Sequence, residues 1–137
     1  MNILDIHTHR LPAKPGQAIQ NCQPAEFAPL GGAYYSVGIH PWYLTRENFI
    51  HQWELLLSAI HSPQVLAIGE AGLDKLAQTD YVLQQEVFER QAILAHEMEY
   101  PLVIHAVRSA DEIIRFKRKM QPSNPWIIHG FRGKKEL

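Results

Sequence analysis

An α/β fold built on a parallel sheet is the architecture this sequence predicts, on three observations. Short apolar runs with β-branched residues recur along the chain, separated by segments of helical periodicity. The runs are near-continuous in hydrophobicity rather than alternating, as in strands buried on both faces. Their spacing approaches the roughly 30 residues of a strand–helix–strand unit.

Five runs read as strands: Asn2–Ile6, Tyr34–Ile39, Gln64–Gly69, Pro101–His105 and Trp126–His129. Counted from Asp5 through Gly38, Gly69 and Ile104 to Ile128, the steps are 33, 31, 35 and 24 residues. Between the first two runs lie Pro12, Pro15, Gly16, Pro24, Pro29, Gly31 and Gly32. That density of breakers predicts a loop across residues 11–33 with room for one short element, not a crossover helix. Thr45 is placed to cap a first helix reaching about His61, with Phe49, Ile50, Trp53, Leu56, Leu57 and Ile60 on its apolar stripe. A second helix runs from about Tyr81 to Tyr100 and uses Val87, Phe88, Ala92, Leu94, Ala95 and Met98. Ser109-Ala110-Asp111-Glu112 reads as a capping box opening a third, which buries Ile113, Ile114, Phe116 and Met120. Pro122 and Pro125 then end it. Gly133–Leu137 reads as the start of another helix. A doubly wound sheet and a TIM-like (β/α) barrel both fit this alternation. A complete barrel takes about 250 residues, so a barrel here is truncated after about five strands.

The 137 residues suit one domain, 1–137, incomplete at its C-terminal side if it is a barrel. At 46% hydrophobic and 20% charged, the chain has the balance of a soluble globular protein. No apolar run approaches the roughly 20 residues that span a bilayer, and the N-terminus has no signal-peptide pattern. A cytoplasmic location without membrane association is therefore expected. Cys22 is the sole cysteine, which excludes an internal disulfide and a cysteine-based zinc knuckle. Net charge is −1, yet residues 1–104 carry 5 Lys/Arg against 11 Asp/Glu while residues 105–137 carry 8 against 3. That asymmetry permits an anionic partner near the C-terminal third, or simply a solvated helix face. The chain is not basic enough for non-specific nucleic-acid binding, so a nucleic-acid substrate would be gripped by the site itself.

The chemistry is signalled by where polar residues fall. Each run is apolar until its end and then presents a metal-ligand type: His7 and His9, His40, Glu70, His105, His129. Parallel strands bring their C-terminal ends to one rim, where α/β enzymes hold their active sites. His7 and His9, two residues apart, project from the same side of a strand and suit one shared divalent ion. Asp5 lies one pleat deeper and is better placed to orient a histidine N–H than to ligate. Glu70 is the catalytic centre of this reading, since its two oxygens can bridge two cations about 3.5–4 Å apart. His105 and His129 would hold the second ion, and His7 and His9 the first. Two divalent ions are expected, with Zn, Mn, Mg and Fe all open.

Arg108, three residues past His105, can fork onto a phosphate oxygen, or pair with Asp111 or Glu112. Arg132 reads similarly but less sharply. His40, before Pro41-Trp42, reads as a substrate contact rather than a ligand, with a loop hydrogen bond as the plainer role. Asp74 reads as structural or as a group at the loop rim. His51, His61 and His96 fall within helices, and Phe49, Trp53 and Phe88 read as core residues. There is no phosphate-binding P-loop, serine nucleophile elbow or dinucleotide fingerprint.

The blocks LDIHTH, VGIHPW, AIGEAGLD, PLVIHAVR and WIIHGFRG, in this order, resemble the signatures of TatD-like metal-dependent hydrolases. The resemblance spans Leu4 to Gly133, and AIGEAGLD is its most distinctive block. It implies a TIM-like barrel, metal binding by His7, His9, Glu70, His105 and His129, and substrate phosphate contacts from His40 and Arg108. The implied activity is deoxyribonuclease, on DNA or a small phosphoester. Such hydrolases draw a further metal-binding aspartate from a Thr-Asp block on a later strand, and these 137 residues hold no such block. A piece of a longer protein is therefore expected. Two other readings stand beside this one. One is a related hydrolase of another phosphoester, amide or lactone. The other is a truncated barrel without catalysis.

Overall fold

In the computed structural model of the protein, residues 5–8, 18–129 and 135–136 are described, with side chains over 19–129. The apolar runs become strands β1 (Asp5–Thr8), β3 (Tyr34–Val37), β4 (Val65–Asp74), β5 (Leu102–Val107) and β6 (Trp126–His129). Two strands were not legible as runs. The breaker-rich segment holds β2 (Ala18–Cys22), and β7 (Lys135–Glu136) lies where a helix start was expected. In β2 Ile19 is the only large aliphatic, and it is buried together with Asn21 and Cys22. The strand is held by backbone pairing to both neighbours, for which hydrophobic patterning gives no signal. β7 pairs antiparallel with β6 through Ile127–Glu136 and Ile128–Lys135.

The sheet order is β1-β2-β3-β4-β5-β6-β7, and β1 to β6 are all parallel. Every strand is therefore beside its predecessor in sequence. A doubly wound sheet reverses direction at a switch point, whereas a barrel winds one way. The unbroken order decides for the barrel type.

Among the described residues three α-helices follow strands: α1 (Phe49–Ala59), α2 (Tyr81–Met98) and α3 (Ala110–Met120). Each is shorter or differently faced than its periodicity predicted. α1 begins at Phe49 because Thr45 and Asn48 close a turn first, Thr45 Oγ1 accepting from Asn48 N and Asn48 Oδ1 from Thr45 N. Its buried face contains Gln52, while Ile50 and Leu57 are exposed. Met98 of α2 is exposed as well. At α3 the expected capping box does not form. The Ser109 hydroxyl donates instead to Val107 O and accepts from Tyr81 Oη, while Glu112 binds Tyr81 Oη and Lys75 Nζ. The core centres on Phe88, which meets the Trp126 ring edge-on at 5.7 Å and Phe116 at 5.4 Å.

Candidate metal centre

β4 does not end at Glu70, as its apolar run suggested, but continues to Asp74 with Ala71 and Leu73 fully buried. The β4–β5 register shifts between Gly69 and Ala71, so Glu70 sits at a bulge. Bulges re-aim side chains and recur beside active sites. Past the bulge Gly72 pairs with His105, where a Cβ would run into the His105 backbone. A Cβ on Gly38 would likewise lie 2.7 Å from Gly69 Cα. Glycines at these two places let β3, β4 and β5 approach closely enough for their functional side chains to meet.

The convergence is local and tight. His40 Nε2 lies 3.2 Å from Glu70 Oε1, and His105 Nδ1 lies 3.5 Å from the same oxygen. One donor atom from each of His40, Glu70 and His105 falls within 4.8 Å of the others. Glu70 is 3% exposed, so its charge must be met by close partners. Its backbone N–H donates to Asn21 Oδ1 at 2.7 Å, and that oxygen also accepts from Ser36 Oγ at 2.9 Å. The otherwise patternless β2 thus fixes the peptide of the central carboxylate.

Asp74, read from the sequence as structural, belongs to this cluster. Its Oδ2 lies 2.8 Å from His105 Nε2 and accepts from Trp42 Nε1 at 2.5 Å, while Oδ1 accepts from Leu76 N at 2.8 Å. Burial opposes ionisation of Asp74, yet the bonds from His105, Trp42 and Leu76 hold its carboxyl below the usual range. Burial likewise opposes protonation of His105, and its bonds to Glu70 and Asp74 outweigh that and raise its pKa. The signal was present in the sequence: Asp74 follows Glu70 in a segment that stays apolar.

Hydrogen bonding distinguishes the two imidazoles. A neutral ring has one N–H and one lone pair. His105 faces the Asp74 carboxylate with Nε2, so that nitrogen carries the proton and Nδ1 turns its lone pair toward Glu70. His40 Nδ1 accepts from Trp42 N at 3.1 Å, so the proton of the neutral ring sits on Nε2 and points at Glu70. His105 has the form of a ligand, and His40 that of a donor. An imidazole lone pair beside a carboxylate is a donor set that zinc, manganese or iron accepts, and the residues present fit such an ion.

The other predicted residues fall as follows. His129 ends β6 in register with His105, which sets the two on the same face of neighbouring strands. Arg108 is exposed directly after β5 with φ 52°, where the chain turns toward α3. Asp5 and His7 lie in β1 with their side chains outside the described set, and His9 and Arg132 lie outside the described residues.

Two residues of α2, also unforeseen, hold the strand ends. Gln91 donates through Nε2 to Ile39 O at 3.2 Å and accepts from Ile39 N at 2.8 Å. Gln84 treats Asp74 the same way, at 3.1 and 2.8 Å. Both amides are almost wholly buried. Seven residues apart, they lie on one face of the helix and clamp the peptides of β3 and β4 just where His40 and Asp74 emerge.

The fold has a solved counterpart. The crystal structure of YjjV, a TatD homologue from Escherichia coli K12, superposes with a TM-score of 0.72 at 23% identity, over 86% of this chain and 51% of that one. In sequence, the chain is 32% identical over 117 residues to a 3'-5' ssDNA/RNA exonuclease TatD from Pantoea, 82% of this chain and 43% of that protein. It is 36% identical over 94 residues to the human 3'-5' RNA nuclease TATDN2, 67% of this chain and 12% of that protein. The chain thus spans less than half the length of these curated relatives. No helix among the described residues is long and apolar enough to cross a membrane. Residues 6–137 match the family of TatD-related DNases, and the chain belongs to that family of metal-dependent hydrolases.

Proposed function

We propose that this chain carries the metal-binding part of a nuclease that hydrolyses phosphodiester bonds in DNA. The observation that carries this reading is the buried Glu70 with His105 Nδ1 3.5 Å away, and His105 Nε2 2.8 Å from Asp74 Oδ2. Glu70 and His105 hold divalent metal in this reading, with His7, His9 and His129 completing two sites. When bound, such a pair of ions supplies Lewis acidity and neutralises the charge of the phosphodiester.

The chain's own groups do the rest. Glu70, whose peptide is fixed through Asn21, would hold the metal through its carboxylate. His40 keeps its Nε2–H directed at Glu70 and would donate a hydrogen bond through it to a phosphate oxygen that enters. Arg108, exposed at the same rim, forks onto the neighbouring phosphate. Bonds to charged groups of this kind are roughly twice as strong as neutral ones, which suits a site that must grip without a basic surface around it.

The test is degradation of single-stranded DNA by the purified protein with Mg, Mn or Zn added, in wild type and Glu70→Ala. Loss of a wild-type activity in the folded variant is expected. Hydrolysis confined to an amide, lactone or phosphomonoester would defeat the proposal, as would the absence of bound metal after supplementation.

A further inference from the structure

Arg108 is held in a backbone conformation that its side chain does not favour. Three non-glycine residues among those described have positive φ: Glu99, Arg108 and Gln121. Glu99 and Gln121 are the C-caps of α2 and α3, where a left-handed residue is an ordinary way to end a helix. Arg108 has no such reason, because it lies between β5 and α3 with φ 52°. A residue of this kind stays in the left-handed region only where its surroundings enforce it.

The enforcement comes from both flanks. Ahead of Arg108, Val107 O accepts from Lys75 N at 3.3 Å and from Ser109 Oγ at 2.9 Å. Behind it, Ser109 is fully buried, and Tyr81 Oη lies 2.9 Å from Ser109 Oγ and 2.5 Å from Glu112 Oε2. Burial and the Glu112 carboxylate push the Tyr81 phenol up to about 12, so its proton stays in place near neutral pH. Ser109 and Glu112 are the pair expected to cap α3, yet the Ser109 side chain makes no bond to the helix. Both are committed to Tyr81 instead, and the stabilising cap is forgone. Glu112 also binds Lys75 Nζ at 2.8 Å. That occupies one of the two carboxylates, Asp111 and Glu112, that the chain sets nearest to Arg108 in sequence. Among the described residues Arg108 is exposed and pairs with no carboxylate.

We infer that Tyr81 is a positioning residue for Arg108: through Ser109 and Glu112 it holds the left-handed turn after β5, so that the guanidinium stays free for a substrate phosphate. This rests on the nuclease reading above, in which Arg108 grips phosphate, and adds the groups that aim it. Tyr81 itself touches no substrate. Its phenol ties the first turn of α2 to the first turn of α3, and the turn that carries Arg108 lies between the second of these and β5.

The test is the salt dependence of binding to the metal-free protein. A fluorescein-labelled thymidine oligomer is titrated by anisotropy over a range of salt concentrations. Each phosphate gripped on a single strand contributes about 0.7 to the slope of log affinity against log salt. Arg108→Ala is expected to lose about that much slope. Tyr81→Phe is expected to lose a comparable amount although Arg108 is still present, and the double variant to lose no more than either alone. A role in folding alone would lower the melting temperature of Tyr81→Phe and leave the slope in place, which overturns the proposal. Losses that add in the double variant overturn it too, since Tyr81 would then act elsewhere than through Arg108. Ser109→Ala removes the hydroxyl between Tyr81 and Val107, so it is expected to give the same loss and carries the test if Tyr81→Phe does not fold. An unchanged slope in Arg108→Ala, or no binding by the unmodified protein, overturns the proposal at its root. The nuclease reading is decided separately, by cleavage with Mn in wild type and Glu70→Ala, so its failure and that of Tyr81 are distinguishable.

Discussion

At the residue scale, the site turns on which nitrogen of each histidine is free. Asp74 holds the His105 proton on Nε2, so Asp74→Asn, which can present either an oxygen or an NH₂ to that nitrogen, is expected to weaken metal binding by about 10–100-fold. His40→Gln is expected to leave the metal titration curve in place while reducing turnover, because the His40 lone pair is already engaged by Trp42 N. Calorimetric titration with Zn or Mn checks both, and a His40 variant that loses metal would make His40 a ligand. The same pair sets a pH dependence in the metal-free protein. Asp74 is depressed, so its stabilisation is complete above about pH 3.9 and fades as pH falls through its folded value. His105 is raised, so its contribution is full below about pH 6.5 and fades as pH rises through its folded value. The melting temperature of wild type relative to His105→Gln should therefore peak between about pH 4 and 6.5. A difference that stays flat from acid to alkaline pH would contradict the coupling. Glu70, His40 and His105 were legible as strand-end residues of ligand type, whereas Asp74 was not. The apolar run ends at Gly69, and the continuation of the strand through a bulge to Asp74 breaks the simple rule that polar residues mark a strand's end.

At the scale of elements, hydrophobic periodicity carries the fold where burial is hydrophobic. β3, β5 and β6 and the extents of α2 and α3 follow that signal closely. It failed where backbone or amide bonding does the work. β2 has few apolar side chains, and Gln52, Gln84 and Gln91 face inward where leucine would be expected. These glutamines are buried because the amide of each is met by backbone groups, Tyr43 O for Gln52, Asp74 for Gln84 and Ile39 for Gln91. Gln91→Leu strips both partners from the Ile39 peptide, at about 1–3 kcal/mol for each unsatisfied group. Urea unfolding should show a loss of roughly 2–5 kcal/mol. A neutral or stabilising Gln91→Leu would show that water or a rearranged backbone satisfies Ile39 in its place.

At the scale of the whole molecule, the one-way strand order brings groups from β3, β4 and β5 to one place across 66 residues of chain, from His40 to His105. The alternation of strand and helix was enough to anticipate a parallel sheet but left two windings open. Pairing, which is long-range, decided between them. Metal that binds the folded protein and not the unfolded chain must stabilise it, by about 2.7 kcal/mol at a hundredfold excess over Kd. A rise in melting temperature on the order of 10 °C on adding Zn or Mn is expected, and a much smaller one in Glu70→Ala. Equal shifts in the two proteins would put the ion somewhere other than Glu70.

The paired amides of α2 have a practical outcome for anyone altering this protein. A redesign for thermal robustness commonly swaps interior polar groups for hydrocarbon, and Gln84 and Gln91 would be among its first targets. Each swap would strand the backbone groups that the amide now meets, so a redesign made that way would be expected to soften the fold where His40 and Asp74 emerge.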